Sequence, residues 1–186
     1  MARWEPDARG RLEQAAMDLY VERGFEATTV AEIAARAGVT ERTFFRHYAD
    51  KREVLFGGSA FMNDALAAGI ASAPAELSPI EAVGHALEGV GAALEGRRPW
   101  SARRQAVIAG RAELRERELI TLAAMTAALA DALRARGVKE PAATLTAEAG
   151  IAAFKVAFEQ WVAPRNKATL AKLTHDSLEA LRAATR

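Results

Sequence analysis

The 186-residue sequence predicts an all-α fold of about nine helices, on three observations. Alanine dominates a composition that is 51 % hydrophobic but only 6 % aromatic. With few β-branched runs, such a chain packs as helices more readily than as sheets. All six prolines (Pro6, Pro74, Pro79, Pro99, Pro141 and Pro164) stand at the ends of periodic apolar stretches. Proline costs about 3 kcal/mol inside a helix, so the long intervals between prolines are open to helix formation. Apolar residues recur at helical spacing, while strand alternation, long-period repeats and low-complexity tails are absent.

The elements follow in order. Residues 7–23 place Leu12, Ala15, Ala16, Leu19 and Tyr20 on one stripe, with Gly24 as a stop. Thr29-Val30-Ala31-Glu32 is a capping box opening a short helix with Val30, Ile33, Ala34 and Ala37 inward. Gly38 ends that helix and Thr40 caps the next. Asp50-Lys51-Arg52-Glu53 starts another, which leads into an apolar segment reaching about Ser72. Ser78-Pro79-Ile80-Glu81 joins a capping box to a proline at the first helical position. Further helices are expected over 79–95, 100–110, 112–136, 142–163 and 167–184. This divides the chain into a three-helix headpiece, 1–55, and a helical body, 56–186.

Composition excludes several functions. With no cysteine there is no disulfide, thiolate metal site or thiol nucleophile, which fits a reducing cytoplasm. The N-terminus lacks an apolar signal core, and no stretch is expected to approach a membrane span, so a cytoplasmic protein without a membrane partner is predicted. Clustered histidines, a Gly-rich phosphate loop and paired carboxylates in an apolar setting are all missing, so no enzyme, catalytic residue or cofactor is expected. His85 and His175 lack a second ligand at i+3 or i+4 and read as surface or structural residues, with no metal site. The run 112–118 reads as a charged helix surface.

Charge alone does not argue for nucleic acid. The net charge is +1, and residues 1–56 hold nine Lys and Arg (Arg3 among them) against ten Asp and Glu, or −1. Only 39–52 is locally positive: Arg42, Arg46, Lys51 and Arg52 against Glu41 and Asp50. Placement therefore has to carry the case.

Residues 24–55 supply it. Two short helices with Gly38 between them have the shape of a helix-turn-helix. Ala34 sits where the helices cross, and Gly38 can take the positive φ of the turn. Val39, Phe44 and Tyr48 face inward. Arg42, Thr43, Arg46 and His47, at i, i+1, i+4 and i+5, then share an outward face suited to a major groove.

At this point the sequence resembles the TetR family. The resemblance rests on Gly24-Phe25, Thr28-Thr29-Val30, Ile33-Ala34, Ala37-Gly38-Val39-Thr40, Thr43-Phe44-Phe45, His47-Tyr48 and Lys51. It covers the first 55 or so residues strongly, and the remainder in length and helix count. It implies a ligand-responsive regulator, a repressor, that binds double-stranded operator DNA as a homodimer. Thr29 and Thr40 would meet phosphate, Arg42 and Thr43 would read bases, and Phe45 would touch a thymine methyl. Arg46 belongs to the same face, while His47 and Lys51 would hold the backbone. The family often has glycine where Arg42 stands and tyrosine where Phe45 stands; both departures bear on the operator sequence. The resemblance also implies that the last two helices meet a second subunit. On them lie Ile151, Phe154, Phe158 and Trp161, and Leu170, Leu173, Leu178 and Leu181; intramolecular core is the alternative for each.

A body cavity is implied in the same way, with Phe61, Met62, Leu66, Trp100, Val107, Met125 and Leu129 as lining and Arg103 (beside Arg104) for an anionic group. The segment from Arg111 to Trp161 resembles the actinobacterial branch with mycofactocin-type regulators, implying an acyl-thioester or other lipophilic effector. A rival reading, a helical ligand-binding adaptor without sequence-specific DNA binding, stays open on the −1 headpiece and Phe45.

Overall fold

The computed structural model describes residues 7–185; Arg3 and Pro6 lie outside the described residues. The described chain is helical throughout, with ten α-helices and one 3-10 turn. Two compact units divide it: 1–58 with 103–116, and 59–102 with 117–186.

The first unit opens with α1 (Ala8–Arg23), whose N-cap Asp7 accepts a hydrogen bond from the Gly10 N–H at 2.8 Å. Leu12, Ala16 and Met17 on α1 are fully buried. Next come α2 (Val30–Arg36), α3 (Glu41–His47) and α4 (Glu53–Phe56). Helices this short are not stable alone, so their ends must be held from outside. Between α2 and α3, Gly38 takes φ +67° and the Val39 N–H donates to the Ala34 carbonyl at 3.0 Å. Ala34 is buried at that crossing.

Segment 103–116, which the sequence boundary at 55 assigned to the body, belongs to this unit. The Arg103 guanidinium donates to Asp18 at 2.5 Å. Arg104 donates to the Leu55 carbonyl at 2.7 Å and lies 4.9 Å from the Phe56 ring centroid.

The second unit is built from α5 (Ser59–Ser72), α6 (Pro79–Leu94), the 3-10 turn (Glu95–Arg97), the start of α7 (Arg98–Ala109), most of α8 (Ala112–Ala135), α9 (Ala142–Val162) and α10 (Leu170–Ala184). Helix α6 is its axle, packing on α5, α9 and α10. Missing side chains allow the close approach. A Cβ on Gly69 would stand 2.7 Å from Ala86, on Gly91 2.8 Å from the Ala171 nitrogen, and on Gly150 2.3 Å from Val83. Around α6 lies one continuous core that includes Leu66, Ile70, Val83, Leu87, Leu129, Leu133, Phe154 and Trp161.

Two expectations need correction. The helix expected from Asp50 to Ser72 is two helices, broken at Gly57-Gly58, the pair of lowest helix propensity in the stretch. By length and composition Glu53–Ser72 is apolar enough to cross a membrane, so a segment does come close. Val54, Leu55, Phe56, Leu66 and Ile70 within it are buried in the protein, and Asp64 stands exposed on it.

Candidate nucleic-acid interface

Helix α3 is fixed by its buried side. Phe44 is fully buried and Tyr48 nearly so, one turn apart, with ring centroids 5.6 Å from each other. Tyr48 donates to a Glu13 carboxylate oxygen at 3.1 Å. Burial, reinforced by the Glu13 charge, pushes its phenol up to about 12. Thr40 caps the helix: its hydroxyl accepts from the Thr43 N–H at 3.2 Å and lies 3.1 Å from the Thr43 hydroxyl.

With that side anchored, Arg42, Phe45, Arg46 and His47 are exposed and Thr43 is half-buried. Phe45 keeps 55 % of its surface in solvent while its ring meets Phe44 edge-on. The polar face read from the sequence is thus presented outward, with Phe45 among it.

The other basic residues of this unit are largely used at home. Arg23 pairs with Glu32 at 2.8 Å, Arg36 with Glu22 at 3.0 Å and Arg52 with Asp50 at 2.6 Å. Arg9 donates to the Gly57 carbonyl and lies 3.4 Å from Glu13. The Arg36 hydrogen bond lowers the Glu22 carboxyl. For Asp50, burial pulls the other way, but the hydrogen bonds from Arg52 and Glu53 outweigh it and the pKa falls. Arg42 and Arg46, by contrast, have no hydrogen-bond or ion-pair partner among the described residues. Near-zero bulk charge therefore conceals two unpaired cations, one turn apart, on the exposed side of α3.

Two residues expected on DNA are engaged elsewhere. The Thr29 N–H and hydroxyl both donate to Glu32 at 2.9 Å, completing the capping box. Those bonds hold the Glu32 carboxyl below its ordinary range. A phosphate at Thr29 would have to displace that carboxylate. Lys51, expected to hold the backbone, turns inward: its ammonium donates to the Phe25, Glu26 and Thr28 carbonyls at 2.8, 3.2 and 2.9 Å. An ammonium has three donors, and all three are occupied.

The residues expected to meet a second subunit are largely covered by their own chain. Ile151, Phe154, Trp161, Leu170, Leu173 and Leu178 are buried within their own subunit, and Phe158 and Leu181 are half-buried. The strongest apolar stripe of a helix marks the face its own chain covers first. On the opposite side of α9, Leu145 and Val156 are 64 % and 49 % exposed and Ala152 lies between them.

The residues expected to line a cavity fall in both units. Leu66, Met125 and Leu129 lie in the core of the second unit, with Met62 packed against it. Phe61 is 70 % exposed. Arg103 and Val107 belong to the first unit, and Arg103 is paired with Asp18. Trp100 is half-buried, with Arg97 4.6 Å from its ring centroid and its indole N–H without a partner.

Two family models match this chain. Residues 13–56 match the family model for bacterial regulatory proteins of the tetR family. Residues 77–186 match the model of the MftR C-terminal domain, in keeping with the branch the sequence resembles. An 82-residue segment is 37 % identical to the HTH-type transcriptional regulator TcmR of Streptomyces glaucescens, covering 44 % of this chain and 36 % of that protein. The chain thus spans about a third or less of the curated relatives it matches. The fold is shared with Thermus thermophilus FadR, a TetR-family repressor solved with lauroyl-CoA. There the TM-score is 0.59 at 23 % identity, over 94 % of this chain and 93 % of that one. It is also shared with Bacillus subtilis FadR, solved with stearoyl-CoA: TM-score 0.61 at 19 % identity, over 92 % and 96 %.

Proposed function

This chain belongs to the TetR family of transcriptional regulators, and on that premise we propose that it represses transcription in the cytoplasm by binding a palindromic operator as a homodimer. The observation that carries the reading is the unpaired Arg42 and Arg46 on the exposed side of α3, in a unit whose other cations are largely held by its own groups. An arginine facing a major groove can bond guanine O6 and N7 in bidentate fashion. We assign base reading to Arg42 and Thr43, contact with a thymine methyl to Phe45, and the flanking backbone to Thr40, Arg46 and His47. One such helix recognises too little sequence by itself. Two of them, about 34–36 Å apart, match a palindrome.

For the second subunit we assign the uncovered face of α9, Leu145, Ala152 and Val156, because the buried stripe is already taken. For the effector, the acyl-CoA bound by two proteins of the same fold supports an acyl thioester, with release of DNA through linkage of typically 1–3 kcal/mol.

Selection of bound duplexes from a random DNA pool tests the reading. A palindromic consensus is expected, and Arg42→Ala should lose about 1–3 kcal/mol of discrimination at one base pair of each half-site. Base preference unchanged at every position would remove Arg42 from the readout. Retention of no sequence at any salt concentration would overturn DNA binding itself. Addition of lauroyl-CoA to the complex should weaken it; an unchanged Kd would reject the effector class.

A further inference from the structure

We infer that Lys51 is a positioning residue, acting on operator binding from inside the protein by locking the turn between α1 and α2 rather than by touching phosphate. The inference rests on the DNA-binding reading above and assigns this residue a role within it.

Between Gly24 and Thr29 the chain leaves α1 and enters α2, and its carbonyls need partners. Those of Phe25, Glu26 and Thr28 converge on the Lys51 ammonium. The ammonium also lies 4.6 Å from the Phe25 ring centroid, which is itself buried. A compact cation with three donors fits this cradle. A planar guanidinium, whose donors fan out in a fork, does not. Two further bonds close the clasp. The Tyr20 hydroxyl donates to the Lys51 carbonyl at 2.5 Å, and the Thr28 hydroxyl donates to the Gly24 carbonyl at 2.9 Å. Four residues after α3 ends at His47, Lys51 is thereby tied to Tyr20 in the last turn of α1 and to Phe25, Glu26 and Thr28 in the segment that leads into α2. Since α3 rests on α2 through Ala34 and the Val39 bond, the aim of Arg42 and Arg46 depends on that tie.

A phosphate contact and an internal lock leave different signatures. A lysine that neutralises phosphate steepens the fall of affinity with salt, by about 0.9 in the log–log slope for each contact. The lock contributes nothing to that slope. The test uses the full-length chain and a duplex selected by the wild-type protein, with Kd measured across a salt series for Lys51→Met and Lys51→Arg. Both variants should bind about tenfold or more weakly at every salt concentration, with the slope kept, because orphaned carbonyls loosen the turn. In the absence of DNA, amide hydrogen exchange should quicken in residues 24–32 in both variants and stay as in wild type across the Leu12–Tyr20 core of α1. If Lys51→Met lost its helical circular dichroism, the arginine variant would be read alone. A slope shallower by about 0.9 per protomer in the methionine variant, or full binding by the arginine variant, would overturn the lock in favour of phosphate contact. Unchanged exchange in 24–32 would overturn it too. Should the wild-type chain select no duplex, the DNA-binding reading falls, while the exchange measurement still decides whether Lys51 holds the turn.

Discussion

The two units of this protein solve the same problem, holding helices together, by different means. In the first, α2 and α3 have seven residues each and α4 has four. Helices of that length melt in isolation; they are held by the buried Ile33, Ala34 and Phe44 together with the Thr29–Glu32 capping box, the Lys51 cradle and the tyrosine hydroxyls of residues 20 and 48. In the second, the helices that lie wholly within it run from 14 to 21 residues, and α6 is gripped through glycine and alanine contacts. A unit held by directional polar bonds fixes the aim of a recognition helix closely. A unit held by apolar packing tolerates an occupant or a shift in volume more readily. The contrast is one of what is being held: orientation in one unit, volume in the other.

The largest effect that would test this contrast lies in the packed unit. Trp161 is fully buried, and Trp161→Ala should cost about 3–5 kcal/mol of stability in urea unfolding. A loss under 1 kcal/mol would mean that the core around α6 is far softer than its packing implies. A sharper version uses two glycines of the same helix. A Cβ at Gly91 meets the Ala171 backbone, whereas one at Gly89 meets nothing within 4 Å. Gly91→Ala should therefore destabilise by about 1–3 kcal/mol. Gly89→Ala should stabilise by up to about 1 kcal/mol through helix propensity alone. Equal signs for the two would defeat the claim that close helix contact rests on absent side chains.

A smaller effect compares one kind of cap in both regions. Thr40 caps a helix of seven residues and Thr169 one of fifteen, each accepting from an N–H at 3.2 Å. Removing such a hydroxyl costs about 1 kcal/mol. Both alanine variants should show this in unfolding, but only Thr40→Ala should also lower affinity for a selected duplex. Equal DNA affinity in the two variants would separate the cap from the interface.

These caps were legible in the sequence because N-cap chemistry is local: Thr29 with Glu32, Thr40, and Ser78 with Glu81 all stand where the residue types put them. The exposed face of α3 was legible for a related reason, since Phe44 and Tyr48 at i, i+4 leave few other positions to face solvent. What sequence could not give was the use of a long side chain. Lys51 and Arg103 read as free cations because their partners lie 23 to 26 and 85 residues away. The apolar stripe of α9 and α10 meets a deeper limit. Periodicity reports that a face is buried and is silent about whether its own subunit or another covers it.

The smallest perturbation is a proton. The chain has two tyrosines, Tyr20 and Tyr48, and both lie in the first unit, whereas Trp100 and Trp161 lie in the second. Burial raises both phenols, Tyr48 to about 12 and Tyr20 in the same direction. A group whose pKa is raised on folding adds stability that is whole below its unfolded value, near 10, and disappears as pH climbs through the folded one. Between pH 10 and about 12 the first unit should therefore lose stability through these two hydroxyls, with no matching contribution in the second. Tyrosinate absorbance followed against pH should stay low past 10 and then rise in one cooperative step as the Tyr48–Glu13 and Tyr20–Lys51 bonds break. Phe substitution at residue 48 should leave Tyr20 alone to report that step. Gradual ionisation centred near 10 would show that the phenols are not held as the bonds require, and the polar clasp of the recognition unit would lose its support.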